Sequence, residues 1–130
     1  MSTIKTSAEL PCSAKKAFDA WLSEKDHKGM VSDHPECKFD VKNGGEWKVE
    51  SLEGKFIDID EKNLKITMTW RYVEGWDDNP DSKLTVQFKP NGEDSCTIEL
   101  NHEDVPEELR EEIADGWENY YFAGMKSYLA

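Results

Sequence analysis

Apolar and polar residues alternate one by one through most of this chain and change period only near its end. Ile4, Thr6, Ala8 and Leu10 alternate with Thr3, Lys5, Ser7 and Glu9, which predicts a first strand ended by Pro11. Ser13 is placed to cap a short helix with Ala17, Phe18, Trp21 and Leu22 on one face. Residues 23–35 are polar, with Gly29 and Pro35 as breakers, and leave room for another helical turn. Cys37, Phe39 and Val41 then alternate with charged neighbours, Asn43-Gly44-Gly45 signals a turn, and residues 46–52 form a strand with Trp47 and Val49 on one side. Gly54 opens the next strand, 55–60, where Phe56, Asp58 and Asp60 share one face and Ile57 and Ile59 the other. The clearest alternation is Leu64, Ile66, Met68, Trp70 and Tyr72 against Lys65, Thr67, Thr69 and Arg71. Leu84, Val86 and Phe88 follow, Asn91-Gly92 turns the chain, and Cys96, Ile98, Leu100 and His102 make the last strand.

Over residues 104–129 the period becomes helical. Asp104 with Glu107 three places on, and Pro106 between them, reads as a helix start. Glu107, Glu108, Glu111 and Glu112 suit the positive end of the helix dipole, and Lys126 suits the other end. At about 100° per residue, Leu109, Ile113, Gly116, Trp117, Tyr120, Tyr121, Gly124 and Tyr128 fall on one face. The two glycines in that stripe are expected to let the helix backbone approach the sheet. The predicted class is therefore α+β: a curved antiparallel sheet of about six or seven strands, with the long C-terminal helix packed across it.

The 130 residues make one domain, and 16 basic against 28 acidic residues leave a net charge of −12. That balance argues against nucleic acid and anionic membrane as partners. It fits either a solvated surface or an acidic face steering a basic partner. Three widely spaced cysteines, Cys12, Cys37 and Cys96, indicate no disulfide framework and fit reduced thiols in a cytoplasmic protein. No stretch has the length and apolarity of a membrane span.

Few residues carry candidate chemistry. His34 and Cys37, with His27 nearby, lack a second Cys/His pair, so no metal is expected. Asp58, Asp60 and Glu50 read as solvent-facing carboxylates, and no nucleophile elbow or phosphate loop is present, so no catalytic residue and no cofactor is assigned. The aromatic residues are the remaining signal. Trp47, Trp70, Tyr72, Phe88, Trp117, Tyr120 and Tyr121 all point between helix and sheet, where they either pack as core or line an apolar ligand cavity. His102 has the same register, as a polar anchor for a ligand or a hydrogen-bonded core histidine. Trp76 sits in a polar loop, and either tucks back onto the sheet or serves as an exposed anchor for a partner.

Several stretches together resemble a known family: Gly44-Gly45 before a strand, Glu53-Gly54-Lys55-Phe56, Ile66-Thr67-Met68-Thr69-Trp70-Arg71, Gly75-Trp76, and above all the run Gly116-Trp117-Glu118-Asn119-Tyr120-Tyr121-Phe122-Ala123-Gly124-Met125-Lys126. The chain is similar throughout to the C-terminal domain of the activators of heat-shock protein 90 ATPase, within the START-like (SRPBCC, Bet v 1-like) helix-grip superfamily. The resemblance implies a single domain over 1–130, a non-enzymatic co-chaperone-type interaction module, and the heat-shock protein 90 chaperone as partner. With Met1 almost directly on the first strand, the separate N-terminal co-chaperone domain is expected to be absent. The alternative it implies is a carrier or sensor of a small hydrophobic ligand held between sheet and helix.

Overall fold

Hairpin by hairpin, the alternating segments fold into one antiparallel sheet in the computed structural model, which describes residues 1–31, 36–76 and 78–130. The first strand, β1 (Ser2–Leu10), is followed by two short helices, α1 (Ala14–Leu22) and α2 (Glu24–Met30). Strands β2 (Cys37–Phe39), β3 (Glu46–Val49), β4 (Leu52–Asp60), β5 (Lys65–Tyr72), β6 (Ser82–Pro90) and β7 (Cys96–Val105) complete the sheet. Their spatial order is β1-β7-β6-β5-β4-β3-β2, so the chain crosses from one edge to the other through α1 and α2 and meanders back. A 3-10 turn (Glu107–Leu109), α3 (Arg110–Gly116), a π-helical turn (Trp117–Tyr121) and α4 (Phe122–Tyr128) then form the C-terminal helix.

One sheet face is dry because every second residue on it is apolar. Ile66, Met68 and Trp70 of β5, Leu84, Val86 and Phe88 of β6, and Ile98 and Leu100 of β7 are all buried. Phe18 and Trp21 of α1 close over it, both meeting Phe88 edge-on, at ring separations of 6.3 and 6.4 Å. Ser13 caps α1 by accepting from the Lys16 N–H, and Ser23 caps α2 by accepting from the Asp26 N–H.

Four local expectations are corrected. The strand expected over 46–52 ends at Val49, because Glu50, at φ +52°, and Ser51 turn the chain tightly into β4. A β-bulge between Phe56 and Asp58 shifts the register of β4. Phe56 and Ile59 thus face inward together while Ile57 is exposed, which is why this strand's two faces looked alike in sequence. Val41 lies beyond β2 and is exposed. Asp104 starts no helix: it belongs to β7, at φ +62°, and the helix begins beyond Pro106.

The helix face is corrected as well. Within the π turn the Phe122 N–H bonds back to the Trp117 carbonyl, so this turn holds one residue more than an α turn. The extra residue rotates everything after it. Trp117, Tyr121, Phe122, Met125 and Leu129 are buried, while Tyr120 and Tyr128 are exposed. Gly124 does not meet the sheet either: a Cβ there would run into the main-chain carbonyl of Met30 at the end of α2. Gly116 has nothing within 4 Å of its Cβ position. Gly124→Ala is therefore expected to destabilise by about 1–3 kcal/mol, since main chain must move to admit the methyl group. Gly116→Ala is expected to be neutral or to stabilise by up to about 1 kcal/mol through helix propensity. Urea midpoints of the two variants check the pair.

Candidate functional site

Where the C-terminal helix passes the β4–β5 end of the sheet, the two surfaces stand apart. Alternation in β5 points Trp70 and Tyr72 toward the helix, and pairing places Leu52 opposite Tyr72. The tight β3–β4 turn contributes Ser51, and the helix contributes Ile113, Gly116, Trp117, Tyr120 and Tyr121. Together they enclose a cleft of about 280 Å³. Gly116 is the notch in its helical wall, because a side chain there would project into open space.

Beneath the cleft lies a closed chain of hydrogen bonds. The Trp117 indole N–H donates to His102 Nδ1 at 3.2 Å, which leaves the proton of neutral His102 on Nε2. That nitrogen donates to Ser82 Oγ at 2.7 Å, and the Ser82 hydroxyl donates to the Trp70 carbonyl at 2.9 Å. His102 has no exposed surface, and its ring lies 4.7 Å from that of Trp70. Burial pushes its pKa down to about 3, so it stays neutral at physiological pH.

A second chain runs from the next turn of the helix. Burial raises the Tyr121 hydroxyl well above the ordinary phenol range, which keeps its proton on. It donates to His27 Nε2 at 3.1 Å, and His27 Nδ1–H donates to the Trp21 carbonyl at 2.8 Å. Both histidines thus serve as connectors, each fixing one aromatic of the π turn.

Of the residues expected around a cavity, Trp70, Tyr72, Trp117, Tyr120 and Tyr121 come together on this cleft. The other three do not. His102 is sealed under the floor, and Phe88 lies deeper in the core against Phe18 and Trp21. Trp47 reaches over Gly54 to donate its indole N–H to the Thr69 carbonyl at 3.0 Å, and borders a separate, charged depression. Of the two readings open for Trp76 the structure has the tucked-back one, against the exposed partner anchor: it is fully buried, donates to the Pro80 carbonyl at 2.8 Å and packs 5.4 Å from Trp70. Ser51, Leu52, Ile113 and Gly116 were not expected at the site. The tight turn hid the first two inside a strand, whereas Ile113 and Gly116 were legible as helix-face positions. Of the metal-like trio, His34 lies outside the described residues, as does Asp77 of the Trp76 loop. Cys37 is half-buried, and burial pushes its thiol up to about 11. Asp60, partly exposed, is held low by hydrogen bonds from Asn63.

The family model described as Activator of Hsp90 ATPase homolog 1-like protein matches residues 11–130. This chain belongs to that family. A human relative, Activator of 90 kDa heat shock protein ATPase homolog 1, is 31% identical over 97 residues, covering 72% of this chain and 27% of the human protein. The match therefore spans little more than a quarter of the relative's length. An HSP90 activator from Plasmodium falciparum superposes with a TM-score of 0.88 at 20% identity, over 99% of this chain and 96% of that one. A Thalictrum norcoclaurine synthase, solved with a transition-state analogue, gives a TM-score of 0.66 at 17% identity, over 98% and 92% of the two chains. At these identities the structural likenesses show the fold alone, the START-like helix grip. The run that carries the family resemblance, 116–126, is the segment that makes the π turn and walls the cleft.

Proposed function

We propose that this family member is a non-enzymatic, co-chaperone-type module that engages the heat-shock protein 90 chaperone. The match of residues 11–130 to the activator family carries this reading. His102 beneath the cleft and Tyr121 on its wall are each held neutral and bonded internally, which supports the absence of catalysis. With Trp76 buried, contact with the chaperone falls to the acidic surface. Attraction through exposed charges is screened beyond about 10 Å at 0.1 M salt. Titration against purified heat-shock protein 90 is therefore expected to show weak binding that fades as salt rises, with slight ATPase stimulation. No binding at low salt, with or without nucleotide, would remove this reading.

A second reading, a carrier or sensor of a small apolar ligand, is favoured by the cleft itself. Its volume of about 280 Å³ falls just short of the usual range of ligand sites, which starts at about 300 Å³. That suits one or two rings better than a long acyl chain. The two readings are compatible, because a ligand in the cleft leaves the outer sheet face free.

A further inference from the structure

We propose that the cleft selects a small organic cation, an ammonium group carried on an aromatic or compact aliphatic body; this rests on the reading of the cleft as a ligand site. Five rings border it: Trp70, Tyr72, Trp117, Tyr120 and Tyr121. An ammonium within about 6 Å of such ring centres is attracted by their quadrupoles, and enclosure by several rings is how quaternary ammonium groups are recognised. The rings crowd together on one side, with Trp117 4.8 Å from Tyr121 and 5.9 Å from Trp70.

The polar groups of the floor are already committed. The Trp117 N–H is bonded to His102, the Tyr121 hydroxyl to His27, and the Trp70 carbonyl to Ser82. An anionic ligand would find no positive charge among the residues lining the cleft, and His102 beneath them is neutral. Ring carbon is what the floor offers, and that surface discriminates against a carboxylate and in favour of a weakly hydrated cation.

The rim adds the sign of charge. Ser51 is shared with a neighbouring depression that sets the carboxylates of Glu36, Glu50, Glu53 and Glu74 against the single ammonium of Lys48. The Ser51 hydroxyl donates to Glu74 at 3.2 Å, which holds that carboxylate at the shared edge. On a chain of net charge −12, this edge concentrates cations and repels anions. Aromatic walls and an acidic edge thus point to the same ligand class from independent observations.

The test compares three probes of one shape class: benzyltrimethylammonium, its neutral isostere neopentylbenzene, and the anion phenylacetate. Saturable quenching of tryptophan emission and calorimetry on the full chain read the binding. The cation is expected to bind at least tenfold more tightly than the neutral isostere, with phenylacetate weakest. Glu50→Gln with Glu74→Gln is expected to weaken the cation severalfold and leave the neutral probe unchanged. Gly116→Leu, which fills the cleft from a position with open space at Cβ, is expected to abolish both without lowering Tm. Equal affinity for cation and neutral isostere, or preference for the anion, overturns the proposal while the cleft remains a ligand site. If neither cation nor isostere binds, the ligand reading itself fails with it.

Discussion

Trp117→Ala is expected to lower the unfolding free energy by more than any other single change at this site. Removing a buried tryptophan side chain costs about 3–5 kcal/mol through lost burial and the cavity left behind. Trp117 is buried against Trp70, Tyr121 and His102, so the surrounding rings cannot close the gap cheaply. The same substitution strands His102 Nδ1, which accepts from the Trp117 N–H, and an orphaned buried acceptor adds about 1–3 kcal/mol. Against a typical domain stability of about 5–15 kcal/mol, the sum leaves the variant near the edge of folding. Trp117→Phe separates the two contributions, because it keeps a large ring and loses only the donor. Denaturant titrations are expected to place it well above the alanine variant and below the parent. An unchanged midpoint for Trp117→Ala would contradict the placement of the π turn.

Acid is expected to act through the same network. His102 has its folded pKa depressed from 6.5 to about 3, so as pH falls through 6.5 the unfolded chain takes up a proton that the folded chain refuses. Its contribution is complete above pH 6.5 and is lost progressively down to about pH 3. Each tenfold difference in proton affinity between the folded and unfolded chain is worth about 1.4 kcal/mol, which makes the loss roughly 3 kcal/mol by pH 4. Relief of self-repulsion works the opposite way over this range, because the chain approaches its pI of about 4.6. The decisive comparison is therefore with His102→Gln, which cannot titrate. The parent is expected to lose roughly 3 kcal/mol more than this variant between pH 7 and pH 4. Parallel stability profiles would mean that His102 takes up its proton as readily in the folded chain as in the unfolded one, and would contradict its sealed placement.

Alternation with period two needs only local information, so β1, β5, β6 and β7 could be read from the chain, as could the Ser13 cap and the turns at Asn43 and Asn91. The β3–β4 turn could not, because Glu50-Ser51 carries none of the Gly or Asn residues that mark a tight turn, and Glu50 adopts φ +52° under the pairing of its neighbours. The bulge at Ile57 was hidden for a related reason. A single extra residue in one strand is visible only against its partner, here Met68 and Thr67 of β5.

Residue periods along the chain suffice for the architecture: which residues alternate, which segment is helical, and which rings turn inward. Trp70, Tyr72, Trp117 and Tyr121 were legible at the site because side-chain direction follows from backbone period. Tertiary structure decided what those rings do. The π turn at Trp117–Tyr121 brought Met125 and Leu129 inward in place of Gly124 and Tyr128, a choice that local propensity does not encode. His102 became a sealed connector because Trp117 and Ser82, 15 and 20 residues away in the chain, arrive with a donor and an acceptor. Trp76 went from loop to core because Trp70 and the Pro80 carbonyl offer it a ring and an acceptor. Whether rings pack solid or stand apart depends on distances between elements. Those distances are set by long-range packing, at Gly124 against Met30 among other places, and no periodicity along the chain records them.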